Sequence, residues 1–189
     1  MKERILVAGI GNIFLGDDAF GVEVVRRLSG LPELVRLADF GIRGFDLAYA
    51  IMDGYEITIL VDATPRGGLP GTLYVLEPDA RELESINAGP DSFEAHGLNP
   101  LKVLALVRAM GGEFNRVLVV GCEPQSLGDD EEGGRMGLSA PVEAAIPEAV
   151  KMIESLVATL LAERPAAAKQ DRARRPNTDH DTNSEVQRI

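Results

Sequence analysis

The sequence contains a single cysteine, Cys122, among its 189 residues. One thiol cannot form an internal disulfide, and the paired cysteines that bind structural zinc are absent. Such sparing use of cysteine is typical of a reducing compartment, so we expect a cytoplasmic location. No apolar run is long enough to cross a bilayer, and no signal peptide precedes the first apolar segment, which favours the same expectation.

Positive charge is also scarce, with 19 lysines and arginines against 30 aspartates and glutamates and a formal net charge of −11. A surface of this sign repels phosphate backbones and anionic lipid headgroups. We therefore expect neither nucleic acid nor a membrane as a partner of this protein.

Large apolar side chains are nearly absent from residues 164–189, which are rich in Ala, Arg, Asp, Asn and Pro. This segment cannot bury enough surface to offset the entropy lost on ordering. It holds six basic and four acidic residues, so the rest of the chain carries a net charge of −13. The composition predicts one folded domain over residues 1–163 and a disordered tail over residues 164–189.

In the folded part, short β-branched runs alternate with amphipathic helical patterns. The patterns predict strands over residues 5–10, 35–40, 57–62, 72–76 and 117–121, and helices over residues 19–29, 45–52, 99–110 and 142–161. Ser139 is the expected N-cap of the last helix. The alternation indicates an α/β fold, a three-layer sandwich with a mostly parallel twisted sheet of about five strands and helices on both faces. Such sheets bind ligands at the carboxyl ends of their strands.

Three side chains that can bind a metal flank these core elements. Asp18 stands at the start of the first helix, Asp62 ends the third strand, and His96 precedes the third helix. Two carboxylates and an imidazole suit a divalent transition metal with coordination positions left open. A non-haem iron triad is excluded, because it needs two histidines and the second one, His180, lies in the tail.

Simpler interpretations exist for the acidic candidates. Either Asp17 or Asp18 could cap the helix that follows, where a carboxylate satisfies free N–H groups, and Asp62 could form a turn. A dinucleotide site is disfavoured, because Phe14 occupies the position of the third glycine of the fingerprint. The two carboxylates would also repel a pyrophosphate at the helix start.

Cys122 follows the fifth predicted strand and could form a nucleophilic pair with His96. No orienting Asn or Asp is evident nearby in the sequence. We therefore favour a small, buried structural cysteine.

Four motifs in order make the chain resemble the NiFe hydrogenase maturation proteases. They are GIGNIFLGDDAFG at residues 9–21, VDA at residues 61–63 followed by a turn and GTLYVLE, the His-Gly-Leu at residues 96–98, and GCEPQSL at residues 121–127 with the later GLS at residues 137–139. The resemblance covers residues 5–161. The related fold of the germination proteases is less favoured, because GCEPQSL and GLS fit the hydrogenase group better.

The resemblance implies an endopeptidase that removes the C-terminal extension of a nickel-loaded hydrogenase large subunit, without a serine or cysteine nucleophile. It implies that Asp18, Asp62 and His96 are the metal-binding and catalytic positions and that the substrate supplies the nickel. Several family members have Glu at the first position, so Asp18 would be a shorter ligand. Residues 128–136 and the tail depart from the family pattern. The alternative function is a non-catalytic, nickel-sensing chaperone of the same large subunit.

Overall fold

The computed structural model describes residues 4–78, 99–128 and 136–163. Within these ranges, strands alternate with helices as the apolar patterns predict. The elements are β1 (Ile5–Ile10), α1 (Phe20–Arg27), β2 (Val35–Gly41), α2 (Gly44–Met52), β3 (Ile57–Ala63), β4 (Leu73–Leu76), α3 (Pro100–Ala109), β5 (Arg116–Cys122) and α4 (Ala140–Ala162), with a short 3-10 turn at Gly16–Ala19 before α1.

The five strands form one sheet in the order β2-β1-β3-β5-β4. The pairs β1–β2, β1–β3 and β3–β5 are parallel, and β4 runs antiparallel to β5 at the edge of the sheet. The predicted α/β fold and its mostly parallel sheet are confirmed.

Helices cover both faces of the sheet, which makes three layers. Along β1, Ile5 and Val7 face the core that α1 and α4 complete, whereas Leu6 and Ala8 face the core that α2 and α3 complete. Every residue of β1 is consequently buried. This explains the unbroken apolar run of the strand, because a sheet covered on both sides has no polar face.

The observed elements begin and end within about two residues of the predicted ones. The first helix is the least regular, because it opens with the 3-10 turn and ends at Arg27, where Leu28 becomes extended. The tail predicted over residues 164–189 lies outside the described residues, so the domain boundary stays a prediction. No helix in the described part of the chain is long and apolar enough to span a membrane.

Candidate active site

Asp18 lies in the 3-10 turn that connects β1 to α1. The chain folds back closely here, because a Cβ atom on Gly11, whose φ is +125°, would lie 1.8 Å from the Asp18 carbonyl oxygen. Only glycine fits this position. The Asn12 N–H donates a hydrogen bond of 2.6 Å to Oδ2 of Asp18. Burial raises the pKa of Asp18, and the hydrogen bond from Asn12 partly opposes that shift.

Asp62 lies near the end of β3 and is 2% exposed. Its Oδ1 has no hydrogen-bond partner among the residues that the structure describes. The pKa of Asp62 is raised well above its ordinary value, first by burial and second by the negative charge of Asp18, while the Ala63 N–H acts in the opposite direction. The two carboxylates are therefore close enough to repel each other.

The parallel pairing of the strands explains why these acids meet. Gly9 of β1 lies opposite Val61 of β3, so the turn after β1 and the end of β3 share one edge of the sheet. Asp62 in turn lies opposite Gly121 of β5. A Cβ atom on Gly121 would lie 2.7 Å from Oγ1 of Thr64, so the lack of a side chain there makes room for the side chain of Thr64.

His96 lies outside the described residues, so its role stays a prediction. Asn99, three residues further along the chain, lines a cavity together with Asp62. The structure thus brings two of the three predicted site residues together.

The two carboxylates repel each other, and a bound cation would offset their negative charge. Burying a carboxylate without a partner is costly, and a second carboxylate nearby adds repulsion. A divalent ion would relieve both costs and would occupy the unpaired Oδ1 of Asp62. Among the described residues, no group of three or more ligand side chains can hold a metal.

Asp17 makes more polar contacts than Asp18, although the two acids are adjacent. It is 1% exposed, and its carboxylate accepts hydrogen bonds from the N–H groups of Gln125 (2.7 Å), Ser126 (3.2 Å) and Ser139 (2.6 Å) and from the Ser139 hydroxyl (2.9 Å). Its own N–H donates to the Ser126 carbonyl at 3.3 Å. Asp17 therefore ties the loop after β5 and the start of α4 to the turn that carries Asp18.

The capping interpretation of the two acids is wrong. Neither the 3-10 turn nor α1 has a side-chain cap, because Asp17 binds distant loops and Asp18 binds Asn12. Ser139 does precede α4 as predicted, but its hydroxyl binds Asp17 instead of capping the helix. The sequence analysis did not predict this role of Asp17. The only signal for it was the presence of Gln125 and Ser126 in GCEPQSL and of Ser139 in GLS, which supply its hydrogen-bond partners.

Glu123 is a second buried acid that sequence reasoning missed. It is 4% exposed, and its carboxylate accepts hydrogen bonds from the Arg66 and Gly67 N–H groups and from the Tyr74 hydroxyl, at 2.8–3.0 Å. Burial alone would raise the pKa of Glu123, but the bonds from Tyr74, Arg66, Gly68 and Gly67 outweigh it, and the pKa lies below its ordinary value. Glu123 therefore fixes the loop that follows β3.

A cavity of about 430 Å³ opens beside Asp62. Its walls come from the end of β3 and the loop after it, from β4 and residues 77–78, from the start of α3 and from β5, and they consist mainly of apolar side chains and prolines. A mostly apolar cavity beside a few polar groups is the usual form of a binding site.

The chain is similar in sequence to known proteins. The model of the family described as hydrogenase maturation protease matches residues 22–156. The hydrogenase expression/formation protein HupD of Rhodobacter capsulatus is 33% identical over 156 residues, which are 81% of this chain and 72% of that protein. The hydrogenase 2 maturation protease of Escherichia coli is 31% identical over 153 residues, which are 79% of this chain and 88% of that protein.

Solved structures have a similar fold. The hydrogenase maturating endopeptidase HybD from E. coli matches with a TM-score of 0.64 and 29% identity, over 83% of this chain and 93% of that one. The hydrogenase 2 maturation peptidase of a Thaumarchaeota archaeon matches with a TM-score of 0.60 and 31% identity, over 82% of this chain and 99% of that one.

Proposed function

Because the chain belongs to the hydrogenase maturation protease family, we propose that it removes the C-terminal extension from a nickel-loaded NiFe hydrogenase large subunit. This cleavage would be the last step in maturation of that subunit. The observation that carries the proposal is the buried Oδ1 of Asp62, which has no hydrogen-bond partner in the described part of the chain and lies near a second carboxylate, Asp18. A divalent cation brought by the substrate would compensate the charge of this pair.

The substrate would bring the nickel to the site. Asp18, Asp62 and His96 are the residues that would hold it, and they would also be the catalytic residues. A divalent ion at this position supplies Lewis-acid chemistry to a carbonyl group or to water. Two carboxylates and one imidazole leave coordination positions of a divalent ion open. Such a set can share an ion that another protein already binds.

Sharing the ion also explains how the enzyme would select its substrate. A precursor without nickel lacks the bridge between enzyme and substrate, so both binding and transition-state stabilisation are lost. Nickel insertion would thereby be checked before the extension is removed.

Cys122 does not fit the role of nucleophile. The side chain is fully buried, and burial, with smaller contributions from Asp17 and Glu123, raises the pKa of its thiol to about 12. The reactive thiolate is therefore scarce at neutral pH. This supports chemistry without a cysteine nucleophile.

We expect Cys122→Ser to cleave precursor at nearly the wild-type rate and to lose only about 1 kcal/mol of stability, because a hydroxyl replaces a buried thiol in an apolar core. Thermal denaturation followed by circular dichroism and a cleavage assay measure the two effects. Loss of cleavage in a variant that melts like the wild type would restore the nucleophilic role of Cys122.

The peptidase function is tested by incubating the purified protein with purified, nickel-loaded precursor and measuring the precursor mass. The expected product is shorter by the C-terminal extension. An unchanged precursor mass in a stable complex of the two proteins would instead indicate a nickel-sensing chaperone.

We also propose that the protein acts in the cytoplasm, since its one cysteine serves no disulfide. Fractionation of cells into cytoplasm and envelope tests this, and recovery outside the cytoplasm would contradict it.

A further inference from the structure

The strand β4 has one side that pairs with no other strand in the described part of the chain. Its inner side pairs with β5, and β4 is the last strand of the sheet. Its sequence, Leu-Tyr-Val-Leu, contains neither a charged residue nor a proline. Proteins commonly use charges, proline or a covering element to protect such an edge, because its backbone groups can pair with another chain. The edge of β4 is therefore a candidate site for an added strand.

A β-bulge at the start of β4 fixes its register against β5. The Gly71 N–H donates to the Glu123 carbonyl, and the Glu123 N–H donates to the Thr72 carbonyl, each at 2.8 Å. Gly71 has a φ of +86°, as expected of the glycine that opens this kind of bulge. Thr72 and Glu123 thus begin the hydrogen-bonded ladder between the two strands.

This register shows which backbone groups of β4 face outward. Antiparallel strands alternate between hydrogen-bonded and non-bonded pairs. Counting from the bulge, Tyr74 and Leu76 form the hydrogen-bonded pairs with β5. Leu73 and Val75 form the non-bonded pairs, so their N–H and C=O groups point away from β5. The outer edge of β4 consequently offers two donors and two acceptors, enough for a short extended segment.

Side chains fix β4 at both ends. The Tyr74 hydroxyl donates a 2.8 Å hydrogen bond to the buried carboxylate of Glu123. Glu77, directly after the strand, forms a 3.1 Å ion pair with Arg116 at the start of β5. An added strand would therefore meet an edge that is already ordered, and a preformed site binds without an ordering cost of its own.

The edge lies close to the candidate active site. Asp62 lies opposite Gly121 of β5, and Gly121 lies opposite Tyr74 of β4. Neighbouring strands are about 4.8 Å apart, so a strand added to β4 would lie about 14 Å from β3. An extended chain covers that distance in roughly four residues. Leu76 and residues 77–78 line the cavity that Asp62 also lines, so a chain that crosses this cavity from Asp62 arrives at β4.

We propose that the C-terminal extension of the precursor binds to the outer edge of β4 as an added strand, from about the fifth residue after the cut bond onward. The inference rests on the proposed function. If nickel holds one side of the cut bond at Asp18 and Asp62, the extension is the chain that leads away from them. Strand addition takes its affinity from main-chain hydrogen bonds. The extension is therefore recognised by its extended backbone more than by its sequence.

Val75→Pro is the first test. It removes an outward N–H group and puts a ring in the path of an added strand, but the hydrogen bonds to β5 remain, because proline is tolerated where the N–H of an edge strand faces outward. KM for nickel-loaded precursor should rise about tenfold, as expected for one or two lost hydrogen bonds. The value of kcat should stay nearly unchanged, since the contact lies away from the cut bond. Val75→Thr keeps the N–H group and, as the matched control, should keep the wild-type KM.

A change in the precursor tests the same contact if Val75→Pro does not fold. Prolines at alternate positions from the fifth residue of the extension onward should raise KM about tenfold over alanines at the same positions. Unchanged KM in a folded Val75→Pro variant would overturn the proposal, as would equal KM for the proline and alanine precursors.

Amide hydrogen exchange measures the added strand directly. The N–H groups of Leu73 and Val75 should exchange quickly in the protease alone and slowly with saturating nickel-loaded precursor, in exchange pulses shorter than one turnover. Those of Tyr74 and Leu76 should exchange slowly in both samples. Slow exchange of Leu73 and Val75 in the protease alone would overturn the proposal, because another segment of the chain or a second copy would then cover the edge.

The same measurement separates this inference from the proposed function. A protein that cuts no precursor contradicts the proposed function. In that case, slower exchange of Leu73 and Val75 in the presence of precursor still supports strand addition, and unchanged exchange excludes it.

Discussion

Replacing Asp62 with asparagine is expected to abolish cleavage of nickel-loaded precursor while making the protein slightly more stable. The amide keeps the shape of the side chain but is a poor ligand for a divalent ion. Cleavage should therefore fall by about a hundredfold or more, as when one stabilising group is removed from a transition state. The gain in stability should be about 1 kcal/mol, because a buried carboxylate, one oxygen of which has no hydrogen-bond partner among the described residues, costs more than a neutral amide.

The gain in stability of Asp62→Asn should depend on pH. Below about pH 3, roughly one unit under the ordinary pKa of aspartate, the carboxyl group is largely protonated in both the folded and the unfolded protein and contributes almost nothing. Above that pH the unfolded state ionises first, because folding raises the pKa of Asp62. The wild type therefore loses stability until the pKa of the folded state is passed. Urea denaturation of both proteins should show the smallest difference near about pH 3 and a growing advantage of the variant toward neutral pH.

Asp46→Asn is the matched control, because Asp46 is an exposed acid in the first turn of α2. It should cleave like the wild type and show little change in stability. Full activity in Asp62→Asn would exclude Asp62 as a ligand. A variant that is inactive and also much less stable would mean that Asp62 supports the fold instead of the reaction.

Asp17→Ala is expected to have the largest effect on stability. The substitution leaves three N–H groups and one hydroxyl without the acceptor that the buried carboxylate provides. Hydrogen bonds to a charged acceptor contribute about 1.5–3 kcal/mol each but are not additive. We expect a loss of about 4 kcal/mol, which lowers the melting temperature by roughly 10 °C in a protein of this size.

Cleavage by Asp17→Ala should also fall, by about tenfold or more at a temperature where the variant is folded, because the turn that carries Asp18 loses its attachment to the loop after β5 and to α4. Ser139→Ala removes one of the four accepted bonds and should cost about 1 kcal/mol. Asp46→Ala again serves as the exposed control. A melting temperature of Asp17→Ala close to that of the wild type would show that Asp17 does not hold these segments together.

The sequence was sufficient to predict the layers of the fold and the meeting of Asp18 with Asp62. A strand that helices cover on both faces of the sheet appears in the sequence as a continuous apolar run, such as residues 5–10 and 57–61. Such a run can be recognised without knowing which element packs against it. Residues that follow parallel strands necessarily share one edge of the sheet. The placement of the two carboxylates follows from these two local signals.

The roles of Asp17 and Glu123 could not be predicted in the same way. The hydrogen-bond partners of Asp17 lie 108–122 residues further along the chain, and Glu123 contacts residues 49–57 positions away. Local propensity and periodicity contain no information about such contacts. In the sequence, Asp17 and Asp18 are equivalent neighbouring acids. Only the folded structure shows that Asp17 accepts four hydrogen bonds, whereas Asp18 lies near a second carboxylate, that of Asp62.

The central claim is that nickel in the substrate joins the precursor to Asp18, Asp62 and His96. The most direct test treats the protease alone with a chelator, desalts it, and compares its cleavage of nickel-loaded and nickel-free large subunit. The expected result is complete processing of the loaded precursor and none of the nickel-free precursor, with no nickel added to the protease, because under this proposal the ion comes with the substrate. Equal cleavage of both precursors would contradict this account, as would a chelator-treated protease that stays inactive on loaded precursor until nickel is returned to it.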